Sequence, residues 1–205
     1  MASTPLTQVI SLLYRYADDD RDTLQERLLS ARKTAWESAL RREAQAHGCP
    51  GVPNAPRFDD LSELKRMSRE DADSIAATFN RDVEREVERL YETNPRGNRN
   101  YYTSNLERWN TARNQWKLPQ VALVTDTTTT EYARQRFREM NYPSDTRYVF
   151  DGAPPTCPDC TERYAAGIVD ETYTRRFPCP RHPGCPHQWV ALKTPKLDCA
   201  DMWRG

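Results

Sequence analysis

Glycine is scarce in this chain, with seven residues among 205, and histidine is scarcer, with three. No Gly-rich phosphate loop, nucleophile elbow or HExxH helix occurs, so the common nucleotide, serine-hydrolase and zinc-protease signatures are missing. No apolar run approaches the length of a membrane span. Apolar residues make up 37% of the chain and the mean hydropathy is -0.92, so the core is thin for the length. Charge of one sign is also lacking. Thirty basic and thirty acidic residues cancel, which argues against sequence-independent DNA binding, because that needs a basic face. Charged residues at 29% suit exposed helices better than a compact α/β enzyme. Met1 to Pro5 lacks the basic flank and apolar core of a secretion signal. The expectation is maturation in a reducing cytoplasm, which favours metal-bound cysteines over disulfides.

What is present is a concentration of soft ligands. Four of the six cysteines and two of the three histidines lie between Cys157 and His187. The order is Cys157-Pro-Asp-Cys160, eighteen residues, then Cys179-Pro-Arg-His182-Pro-Gly-Cys185-Pro-His187. A structural zinc takes four thiolate or imidazole ligands in a tetrahedron. Pro158 and Asp159 suit the centre of a tight turn that brings two sulfurs to one ion, as do Pro183 and Gly184. The ligand set read from this spacing is Cys157, Cys160, His182 and Cys185, with Cys179 and His187 as substitutes. Two disulfides among these cysteines would leave the histidines without a role. A redox Cys-Pro-x-Cys needs a strand before it and a helix opening at the first cysteine, whereas Pro154 and Pro155 suggest a loop. Incidental cysteines in a bare loop are the remaining reading.

Upstream, helical patterns dominate. Thr4 and Pro5 can open a helix, and an apolar stripe through Leu24, Leu28, Ala31, Ala35 and Ala39 ends at Gly48. Asp18 to Asp20 leaves open whether residues 5–47 are one helix or two. Cys49 to Pro56 reads as a connector, and Cys49 beside His47 offers only half a metal site. Leu61, Leu64 and Met67 suggest a short helical turn, and Ser68 an N-cap for a helix carrying Ile75, Phe79, Val83, Val87 and Leu90. The charges from Arg81 to Arg89 read as a solvated, ion-paired face. After a turn at Asn94 to Asn98, Tyr101, Tyr102, Leu106, Trp109 and Trp116 form an aromatic set expected in the core. Leu118-Pro119 restarts the chain, and residues 121–130 fit strand and helix equally on residues alone. Tyr148 to Asp151, Ile168-Val169 and Trp189 to Leu192 are candidate strands of a small antiparallel sheet. So small a module buries too little surface to fold unaided, and a metal can supply the deficit.

The order of features resembles the MuF-like minor head proteins (head morphogenesis proteins) of tailed bacteriophages. The resemblance rests on Thr125-Asp-Thr-Thr-Thr-Thr-Glu131-Tyr132-Ala133-Arg134, an aromatic strand, Cys157-Pro-x-Cys160, the turn at Gly167-Ile168-Val169, and His182-Pro-Gly-Cys185 before a final strand. It spans residues 68–195. Two positions depart from the family pattern: His187 stands where a second cysteine is usual, and Cys179 is an addition. By position it supports Cys157, Cys160, His182 and Cys185 as ligands of a structural Zn2+, and helix over 119–140.

The resulting expectation is a mostly α protein, with an elongated helical N-terminal and middle region and a small β-containing, zinc-stapled C-terminal module. Its parts are a helical segment and linker over 1–56, a helical MuF-like region over 57–143 and the zinc module over 144–205. The resemblance implies a non-enzymatic building part, present in several copies in the virion head or head–tail junction. Such a part is assembled in the host cytoplasm against portal or major capsid protein, meets packaged DNA only indirectly, and does not contact membrane. Two other classes remain open. One is a zinc-stabilised nucleic-acid-binding module with Arg134, Arg136, Arg138 and Arg147 on one face; the other is a Cys-Pro-x-Cys redox or metal-dependent enzyme.

Overall fold

The computed structural model describes residues 5–49, 58–152, 157–179 and 187–199, excepting the side chains of 5–20 and of Phe58. The chain is mostly α. Three long helices come first: α1 (Pro5–Ala46), α2 (Phe58–Thr93) and α3 (Arg99–Asn141). A small mixed part follows, made of β1 (Arg147–Asp151), α4 (Pro158–Ala165), β2 (Val169–Asp170), α5 (Glu171–Arg176) and β3 (Gln188–Ala191). Two compact units emerge, one of residues 1–30 and 61–121, the other of residues 31–60 and 122–205.

Helix α1 begins at Pro5 and runs through Asp18 to Asp20 as one element; Thr4, its expected cap, lies outside the described residues. The helix stops where the sequence says it should. Gly48 adopts φ 73°, its amide donates to the Gln45 carbonyl, and the Cys49 amide donates to Ala44. These two bonds form the paired closure of a Schellman motif, which needs a residue with no Cβ penalty at that φ. The proline-rich connector over 50–57 lies outside the described residues.

Helix α2 corrects one expectation. Ser68 is not an N-cap, because the helix already starts ten residues earlier. Its side chain is fully buried and its hydroxyl donates to the Leu64 carbonyl at 2.7 Å, the alternative that lets a serine sit inside a helix. Val83, Val87 and Leu90 then pack against Tyr102 and Leu106 of α3, with Phe79, Tyr101 and Trp109 at the edge. Trp116 is the exception in the expected aromatic core: it is 52% exposed, with Lys117 over its ring.

Pro119 does not restart the chain. It sits inside α3, and residues 121–130 are helical. A proline there removes one ladder bond, leaving the Gln115 carbonyl without its amide, at a cost of about 3 kcal/mol. Most side chains from 115 to 123 are exposed, so water can take up that carbonyl.

In the second unit Trp36, Leu40 and Ala44 of α1 and Ala133 and Phe137 of α3 are buried. The three strands form an antiparallel sheet in the order β2-β1-β3. Tyr148 lies opposite Val169 and Ala191, and Phe150 opposite Trp189. Strict alternation therefore sends Tyr148, Phe150, Val169 and Trp189 to one face, and all four are buried.

Candidate metal centre

The strand β1 leads to Cys157, which is the N-cap of α4 with an extended backbone (φ -79°, ψ 130°). Pro158 occupies the first helical turn, where its missing amide costs nothing. The tight turn expected around Pro158 and Asp159 is thus a helix start. The Thr161 amide bonds the Cys157 carbonyl at 2.9 Å. Spacing of three on a helix keeps Cys157 and Cys160 on one face. Cys160 is fully buried, and Cys157 packs at the margin of the same cluster.

Cys179 arrives in that cluster from the other side of the sequence. It is fully buried with Cys160, Tyr148, Phe150, Val169 and Trp189. Its Sγ lies 3.2 Å from the His187 carbonyl. The substitute residue Cys179 is therefore grouped with Cys157 and Cys160. His182 and Cys185 lie outside the described residues, as do Pro154 and Pro155. Among the described residues no group of three or more His, Cys, Asp or Glu side chains is arranged to hold a metal ion.

His187, the other substitute, is 8% exposed and stacks on Phe150, with ring centroids 4.9 Å apart. Gly152 makes this possible. Its φ is 130°, and a Cβ there would lie 2.5 Å from His187 Cδ2. Around this core, Trp189 Nε1 donates to the Phe177 carbonyl at 2.8 Å, and Asp170 caps α5 by accepting from the Tyr173 amide.

A network of ions braces the same unit. Asp60, 1% exposed, accepts from Arg136 at 2.8 Å and from the Tyr132 hydroxyl at 3.0 Å. Arg134 pairs with Glu43 at 3.0 Å, and Arg138 with Glu131 at 3.2 Å. Burial pushes the Glu131 carboxyl up to about 7, against the pull of Arg138 and Arg134. Burial works against the charge of Arg138 as well, but Glu131 and Glu171 outweigh it and its pKa rises. Burial and the facing Glu171 push the Tyr148 phenol upward. The four arginines proposed as a basic face are not equivalent: Arg134, Arg136 and Arg138 are each committed to a carboxylate.

Three features escaped the sequence reading. Cys49 and Cys199 form a disulfide with Cα atoms 5.3 Å apart, so Cys49 is no thiolate ligand. His47 instead sits 2.9 Å from the Tyr142 hydroxyl and stacks on Phe137. Arg32, 1% exposed, donates to the hydroxyls of Thr128 and Thr129 at 3.1 and 2.6 Å. The threonine run was a visible signal, but nothing in it points to an arginine ninety-six residues away. No family model, curated protein or solved structure matches the chain.

Proposed function

We propose that this chain is a non-catalytic building part of a tailed-phage head, a MuF-like minor head protein whose C-terminal module is stapled by a structural zinc. The observation that carries this reading is that Cys160 and Cys179 are buried together in the core beside a three-stranded sheet, with Cys157 at its margin. Thiols are the donor type a closed zinc site uses, although among the described residues no three ligands are yet arranged around one point. Cys157 and Cys160 would hold the ion from one helix face, with His182 and Cys185 completing the set and Cys179 as the substitute already in the cluster. The ion would supply folding free energy that the module's apolar area does not. Long helices with exposed aromatic and aliphatic side chains, such as Tyr91, Trp116 and Leu118, suit a part that docks on larger structural proteins.

Elemental analysis of the purified chain tests the metal. About one zinc per chain is expected, and Cys160→Ser should lose it together with the near-ultraviolet signal of Trp189. Protein free of transition metal would remove the support for the family reading. Co-purification with portal or capsid protein tests the partner; a solitary monomer never found in particles would count against it.

One observation favours a second reading. A strand before the motif and a helix opening at Cys157 are what a Cys-Pro-x-Cys reductase needs. Two others weigh against it: β1 and β2 are antiparallel, not the parallel pair of a βαβ unit, and Cys160 is fully buried. Thiol titration separates the readings, since a reductase presents one fast-reacting cysteine and a zinc site protects all its sulfurs.

A further inference from the structure

The Cys49–Cys199 disulfide joins two unequal environments. Cys49 is 2% exposed, at the closure of α1. Cys199 is exposed and follows residues 192–198, a segment that contains no helix or strand. Leu192, Lys193, Thr194, Lys196 and Asp198 of that segment are exposed as well, while Pro195 and Leu197 are half-buried. The bridge spans 150 residues of sequence, so it closes a loop that local structure does not close.

We infer that this disulfide is a redox-operated clasp, opened by small-molecule thiols that attack at Cys199, so that Cys199 is the site of mixed-disulfide modification. A thiolate attacks the Cys199 sulfur, the Cys49–Cys199 bond breaks, and Cys49 leaves as thiolate and takes a proton. A second thiol then attacks the mixed disulfide, releasing Cys199 as thiol and the reductant as its own disulfide. Two electrons and two protons pass from two thiols to the protein. Access decides which sulfur is struck, and only the Cys199 side presents itself to solvent. Reduction frees the segment from the end of α1 while leaving the cysteines of the sheet cluster untouched. The inference does not depend on the zinc reading.

The test uses the full chain in glutathione buffers of graded potential, with peptide mapping after acid quench and trypsin digestion timed at Lys193 and Lys196. Glutathione is expected on Cys199 at least about tenfold more often than on Cys49, because attack follows access. Cleavage after Lys193 and Lys196 should speed up about tenfold or more on reduction, since a released segment opens freely. Cys199→Ser should show the fast cleavage without reductant and keep the near-ultraviolet signal of Trp189 in the sheet cluster. Glutathione shared equally between the two cysteines, or on Cys49, would overturn the assignment of the attacked sulfur. Unchanged cleavage on reduction, or mapping that finds Cys49 and Cys199 unlinked in oxidised protein, would overturn the clasp. Loss of the Trp189 near-ultraviolet signal in Cys199→Ser would overturn the separation of the clasp from the sheet cluster.

Discussion

Glu131 should make this protein less stable as pH rises through neutrality. Its carboxyl lies beside Arg138, with Arg134 and Glu43 close by, and burial raises it from its ordinary 4.5 to about 7. Between those values the folded state holds a proton that the unfolded state has released. The stabilisation is therefore complete below pH 4.5 and is lost as pH climbs through 7. A rise of this size amounts to about 3 kcal/mol, at 1.36 kcal/mol per unit. Most of it, roughly 2 to 3 kcal/mol, falls between pH 5 and pH 8. Glu131→Gln keeps the shape of the protonated carboxyl and cannot ionise, and Arg138 still faces Glu171. All other titrations are common to both proteins and cancel in the difference. Urea unfolding of the two at pH 5, 6, 7 and 8 isolates the effect. The glutamine variant should gain on its parent by roughly 2 to 3 kcal/mol across that range, or roughly 4 to 12 °C in melting temperature. A difference that stays flat, or moves the other way, would show that pairing with Arg138 outweighs burial and that the carboxylate is ionised throughout.

Other perturbations probe the sheet module and the end of α1. Gly152→Ala places a methyl group 2.5 Å from His187 Cδ2 at a φ that side chains avoid; a loss of about 2 kcal/mol or more is expected, with His187 ring signals shifted off Phe150 in NMR spectra. Trp189→Ala removes a 3% exposed ring and its bond to Phe177, which should cost about 3 to 5 kcal/mol in chemical denaturation. Gly48→Ala meets open space but must keep φ 73°, so its cost should be limited to about 1 kcal/mol. A loss several times larger would mean that packing, not backbone conformation, holds that corner.

The helical stretches were legible where apolar periodicity coincided with a stop signal. Val83, Val87 and Leu90 share a face because of their spacing alone, and Gly48 ends α1 because glycine takes that φ with no Cβ penalty. The strands were legible because β1 alternates the buried Tyr148 and Phe150 with less buried neighbours. Two local signals misled. Ser68 looks like a cap because serine competes for backbone bonds, but a buried serine satisfies itself on the preceding turn. Pro119 looks like a break because it forfeits a bond, but an exposed carbonyl can bond water instead. Cys157-Pro-Asp-Cys160 looked like a turn, and the same proline serves equally well to open a helix.

What this sequence determines by itself is local: which face a periodic stretch presents, that α1 stops at Gly48, and that its soft ligands are concentrated between Cys157 and His187. Tertiary structure alone decides which distant residues meet. The Cys49–Cys199 bridge, the Arg32 hydrogen bonds to Thr128 and Thr129, and the burial that raises the Glu131 carboxyl all depend on positions with no periodic relation in the chain. Periodicity records which way a side chain faces, because backbone geometry repeats along the chain. It does not record what lies opposite, because that depends on how the helices and the sheet pack, and the packing is set by the summed burial of many side chains at once.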